Sequence, residues 1–233
     1  MRAILFDINA LVFGPTGADF YSEVLRADGI VVEPVQVTEA LNRLPGELVN
    51  ARSLIRTEAQ EDDYNTALVP ALLDALGVPG VTDARLMRLI EGFHEYHAYL
   101  SMYPETLPVL QELQNRGFRM GLVANWAPSL HRLVREFELE RFFGSVVAAQ
   151  EVGLSKPDPY PFHQALRRLE VPAREAVHVG PSLREDVNGA TQAGILPVWL
   201  NRTGISTGHE VLTVTDLRGV LMLAPKAGDE AWN

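Results

Sequence analysis

Apolar positions fall into two textures along this chain. Short runs rich in β-branched residues recur at "AILFDI" (3–8), "RMGLVA" (119–124), "SVVAA" (145–149), "AVHVG" (176–180) and "LPVWL" (196–200). Runs of this kind suit strands covered on both faces. From residue 104 onward, segments of helical spacing separate them. Leu107, Leu110 and Leu113 form one stripe that ends at Gly117; Leu130, Leu133, Val134 and Phe137 form a second; Phe162, Ala165, Leu166 and Leu169 form a third. "LREDVNGATQAG" reads as a shorter helix ending at Gly194. Strand followed by helix, repeated, predicts an α/β fold with a doubly wound parallel sheet of five or six strands.

Residues 14–98 carry helical periodicity and no run suited to a parallel strand. They read as an α-helical cap inserted after the first strand. The expected division is a core of 1–13 and 99–233 and a cap of 14–98, with a cleft between them. The last ten residues, 224–233, read as a loose tail.

Composition narrows the partners. The 233 residues are 47% apolar and 21% charged, as in an ordinary globular protein. Acids outnumber Lys and Arg by 30 to 20, and the formal charge of −10 repels nucleic acid and anionic membranes. A phosphate ligand therefore has to be held by local groups. There is no cysteine, which agrees with a reducing cytoplasm, and no signal peptide or membrane-length apolar run is expected. The expected partner is a small molecule, with oligomeric state open.

In open α/β sheets, ligands sit beyond the carboxyl ends of the strands. Those ends supply Asp7 and Asn9, Ala124 and Asn125, and Gly180 and Pro181; Lys156 precedes a helix, and Asp186 falls in a first helical turn. Two other patterns carry no site. The histidines of "HEYH" (94–97) are three apart, not four as in a zinc-protease helix, and "GPTG" (14–17) lacks the Lys-Ser/Thr of a phosphate loop. Arg52 and Arg56 share a helical face, the usual habit of a solvated stripe.

Four segments in order, "FDINALV", "GLVANW", "VGLSKPDPYPF" and "VGPSLREDVNGATQAG", resemble the motifs of the haloacid dehalogenase superfamily, in the subclass with a helical cap between the first and second motifs. The resemblance implies a hydrolase, in most members a phosphatase. Asp7 would be the nucleophile that forms an aspartyl intermediate. Lys156 would steady it and the transferred group. Asn9, Ala124, Asn125 and Trp126 would face the substrate. Asp7, the Asn9 carbonyl and Asp186 would meet a magnesium ion, with Glu185 as a substitute.

Three positions depart from the family pattern. Asn9 stands where the phosphatases have the Asp that protonates the leaving oxygen, and an amide does not exchange protons usefully at neutral pH. Ala124 replaces a hydroxyl that hydrogen-bonds the phosphoryl group. Pro181 replaces the Asp that ligates magnesium. The resemblance then leaves three functions open: a hydrolase acting on a small phosphorylated or otherwise activated metabolite; a catalytically silent binding protein; and a metal-independent 2-haloacid dehalogenase, which needs neither acid nor metal. Bland roles also stay open for single residues. Asp186 equally suits the positive end of its helix, Asn9 a turn, Asn125 a loop pin and Trp126 packing.

Overall fold

In the computed structural model, residues 1–205, 208 and 210–223 are described. The expected tail at 224–233 lies outside them. The chain divides into two compact units, Met1–Phe13 with the chain from Met102 onward, and Gly14–Ser101.

The first unit is built on six parallel strands: β1 (Ala3–Phe6), β2 (Arg119–Ala124), β3 (Phe143–Ala148), β4 (Ala176–Gly180), β5 (Leu196–Leu200) and β6 (Leu212–Val214). Their order across the sheet is β3-β2-β1-β4-β5-β6, and every recorded pairing is parallel. This is the doubly wound arrangement expected from the alternating textures. Short polar segments hid the sixth strand, whose first two residues, Leu212 and Thr213, are exposed. A ribbon of Val12–Phe13 and Ser101–Met102 forms a separate two-stranded sheet.

The central strand explains its own sequence. All four residues of β1 are at most 1% exposed. Successive strand side chains point to opposite faces, so Ala3 and Leu5 join one core while Ile4 and Phe6 are buried on the other side. On the first face, Leu5, Val123 and Val147 from three strands pack with Phe162, Ala165, Leu166 and Leu169 of the helix Tyr160–Leu169. That is the stripe the helical spacing picked out. The region 183–194 differs from the single helix expected: a π-helical turn over Leu183–Val187 leads into the helix Asn188–Gln192. The wider turn lets Asp186 fold back toward β4, as described below.

The second unit is helical, as its periodicity predicts. Its helices are Ala18–Ala27, Pro34–Leu41, Gly46–Ser53, Glu58–Ala75 and Asp83–His94. Pro45, which lacks the N–H an interior turn requires, separates the helices Pro34–Leu41 and Gly46–Ser53. Leu68, Val69, Leu72 and Leu73 of the long helix pack on Phe20, Val24 and Leu25 of the first and on Leu89, Ile90 and Phe93 of the last. His94 closes the last helix, and His97 lies in the 3-10 turn Tyr96–Tyr99 that follows.

Candidate active site

The sheet order reverses at β1, where β2 lies on one side and β4 on the other. Connections leave in opposite directions there, which opens a crevice at the carboxyl ends of those strands. Asp7 is the first residue after β1. Its backbone N–H still bonds the Val179 carbonyl of β4 (2.9 Å), and its side-chain Oδ2 accepts the Asn9 N–H (2.9 Å). The carboxylate is thus fixed at both its backbone and one oxygen, and it is 4% exposed.

Lys156 reaches this carboxylate from 149 residues away. Its Nζ donates to Asp7 Oδ1 at 2.7 Å and to Asp186 Oδ1 at 2.6 Å. Its loop is set by Asn125, just beyond β2: Oδ1 of the amide accepts the Lys156 N–H (2.7 Å) and Nδ2 donates to the Lys156 carbonyl (2.9 Å). Both ends of the Asn125 amide are therefore spent on the lysine backbone, a pin rather than a free donor toward a ligand. Ala124 is fully buried at the end of β2 and offers no hydroxyl. Trp126 is half-buried, and its carbonyl accepts the Gln150 N–H at 3.2 Å. Asn9 is exposed at the crevice.

Asp186 has a larger role than the sequence reveals. It is 2% exposed, and its Oδ1 meets both Lys156 Nζ and His178 Nε2 (2.9 Å), while its Oδ2 accepts the Ser182 N–H (2.9 Å). Gly180 makes room for it, since a Cβ there would collide with the Asp186 carboxyl. Burial opposes its charge, but Lys156 and His178 outweigh burial and hold its carboxyl far below the usual carboxylate range. Burial likewise opposes the charge on Lys156, and the two carboxylates overcome it, so the ammonium is raised above its ordinary value. His178 goes the other way: burial outweighs Asp186 and lowers it, so the ring is neutral and donates from Nε2. Its ring packs edge-on against Phe162, and its Nδ1 is buried without a partner among the described residues.

The reading of strand ends missed two residues. His178 lies inside β4, hidden in an apolar run. Arg202 follows β5, donates to Glu105 (2.6 Å) and to the Ala10 carbonyl (3.0 Å), and stacks on Tyr103 at 3.4 Å. It braces the loop that carries Asn9. Neither bore a sequence signal beyond its residue type.

Magnesium takes oxygen donors in a near-octahedral shell. Here both oxygens of Asp186 are occupied, Pro181 has no carboxylate, and the Pro181 carbonyl accepts the Trp199 indole N–H (2.9 Å). Asp7 and the Asn9 carbonyl remain as oxygen donors at the crevice, and Glu185, the substitute the sequence offers, is half-buried. Among the described residues, no group of three or more His, Asp or Glu side chains is arranged for a metal. Asp186 pairs with the Lys156 ammonium and accepts from His178 and the Ser182 N–H.

The family follows from a wider match: a model described as haloacid dehalogenase-like hydrolase covers residues 1–194. The chain belongs to that family. It is 31% identical to haloacid dehalogenase-like hydrolase domain-containing protein 3 of Xenopus laevis, over 84% of this chain and 82% of the relative. It is 36% identical to a phosphoserine phosphatase of Thermus thermophilus, over 64% of this chain and 61% of the relative. The matched stretch spans between 46% and 61% of the length of this and other curated phosphatases that are similar. Among solved structures, a 2-haloacid dehalogenase from Pseudomonas syringae superposes with a TM-score of 0.66 at 26% identity, over 96% of this chain and 97% of that one. No helix among the described residues is long and apolar enough to cross a membrane.

Proposed function

We propose that this hydrolase attacks its substrate with the Asp7 carboxylate, without a resident metal, and that it acts on a small molecule whose leaving group departs unprotonated. The observation that carries this reading is the pair of short contacts from one buried ammonium, Lys156 Nζ, to Asp7 and Asp186. A carboxylate becomes a useful nucleophile when it is desolvated and aimed. Lys156 pairs with the Asp7 carboxylate and gives the transition state a positive charge.

The chemistry runs in two steps. An Asp7 oxygen forms a bond to phosphorus of an activated ester or acyl phosphate, and the bond to the leaving oxygen breaks with its electron pair. Water then attacks the phosphorus of the aspartyl phosphate, which frees Asp7 and releases phosphate. Asn9 cannot shuttle protons, and the loss of general acid–base catalysis costs about 10²–10⁴ in rate. The first step survives on good leaving groups; the second becomes slow.

A second reading shares the nucleophile. Displacement of halide from a 2-haloacid needs no acid and no metal, which suits Asn9 and Pro181 and accords with the dehalogenase likeness at 26% identity. There an Asp7 oxygen bonds to carbon as halide leaves with its electron pair; water then attacks the Asp7 carbonyl carbon, the ester bond to the substrate oxygen breaks, and the 2-hydroxyacid departs with a proton from that water. A ligand-binding role without chemistry remains the fallback.

Single turnover in ¹⁸O-water separates these. With acetyl phosphate or an aryl phosphate, turnover insensitive to chelator, a burst of one equivalent and ¹⁸O in phosphate alone support the first reading. Halide release with ¹⁸O in the Asp7 peptide supports the second. Absence of turnover with every substrate, while wild type and Asp7→Asn bind the same ligands equally, ends the case for Asp7 chemistry.

A further inference from the structure

The amino ends of the strands hold a second feature, at the opposite end of the sheet from Asp7. A cavity of about 600 Å³ opens beside the starts of β2 and β3 and the end of the helix Tyr160–Leu169. Arg119, Arg141 and Arg168 line it, over a floor that includes the buried Phe118, Met120 and Phe142.

How the three arginines are held makes the cavity unusual for this chain. Arg119 Nη1 donates to the Leu169 carbonyl (2.6 Å), and Arg168 Nη1 donates to the Val146 carbonyl (2.6 Å). Arg141 lies over the Phe142 ring at 4.8 Å, and its own carbonyl accepts the Gln114 side chain (2.9 Å). Carbonyls and a ring orient a guanidinium without cancelling its charge. Each arginine has five N–H donors, so most of them stay available. In a protein with 30 acids and 20 Lys and Arg, three such cations share one cavity whose single acid is Glu170. A carbonyl-tethered guanidinium is preorganised for planar, two-pronged contact with phosphate or carboxylate.

We infer that this cavity is a binding site for a small polyanion, a molecule with several phosphate or carboxylate groups. It is independent of the chemistry at Asp7. The surrounding negative field works against non-specific anions, so affinity depends on the local cluster and falls with added salt.

Methionine methyl NMR on the full chain tests this, because Met120 lines the cavity while Met87 and Met102 do not. Inorganic triphosphate at low ionic strength should shift the Met120 signal saturably and leave Met87 unmoved. Arg141→Gln and Arg168→Gln, confirmed folded by circular dichroism, should each raise Kd about tenfold, the loss expected for a charge-assisted contact. A Met120 signal that never saturates overturns the inference, as does saturation with the same Kd in both variants.

Discussion

Replacing Lys156 by Met tests the centre of the site most directly. The stem keeps its shape and the ammonium goes. Two carboxylates, Asp7 and Asp186, then face one buried gap, each having lost a partner at 2.7 and 2.6 Å. At such distances each pair attracts by about 6 kcal/mol at an effective dielectric of ~20. Desolvation of the ions cancels much of this, and breaking a buried pair from one side typically costs about 3–5 kcal/mol. Set against a typical stability of about 5–15 kcal/mol, the variant is folded but weak. The pH dependence supplies a sharper signature. In the wild type, Asp186 is depressed, so its contribution is present above its unfolded pKa of about 3.9 and disappears only as pH falls through its much lower folded value. In Lys156→Met, Asp186 loses the ammonium that outweighs its burial, so its carboxyl is raised and holds a proton that the unfolded chain releases. Stability should therefore rise as pH falls from 7.5 to 5, a range in which the Asp186 contribution to the wild type is constant and the lowered His178 makes it decline. Urea unfolding followed by circular dichroism measures both quantities. A variant within about 1 kcal/mol of wild type at pH 7.5, with no reversed slope, would refute the claim that the lysine is what holds the two acids together.

Four further outcomes are expected. Gly180→Ala should displace the Asp186 carboxyl and abolish whatever turnover the wild type shows, with a drop in melting temperature; unchanged values of both would contradict the close approach. Asn125→Ala removes two hydrogen bonds to the Lys156 backbone and should cost about 1–3 kcal/mol in urea unfolding. The neutral His178 has a lowered pKa, so the unfolded chain binds the extra proton as pH falls below about 6.5. Stability should decline there by at most about 1.4 kcal/mol per pH unit, and the decline should flatten in His178→Gln. The triple change Asn9→Asp, Ala124→Ser and Pro181→Asp should create magnesium-dependent aryl phosphatase activity; a folded triple variant with no gain in a colorimetric assay would count against the placement of the site.

The sequence by itself determined the architecture, because its signals there are local. Apolar runs such as "AILF" and "AVHVG" are readable as strands buried on both faces, and the leucine and phenylalanine stripes as helices, since burial imposes a period on each element separately. The motifs were equally readable, and with them the family. What Asp186 does could not be read this way. Where its oxygens point, and that Lys156 and His178 meet them, follows from the turn after β4 and the room left at Gly180. His178 was invisible for the same reason: inside an apolar strand it looks like one more buried residue until Asp186 is found 2.9 Å away. Arg202, and the pinning of Lys156 by Asn125, depend on contacts between segments far apart in sequence. Local pattern fixes which elements form, whereas hydrogen bonding and charge pairing at a crevice are properties of several elements at once.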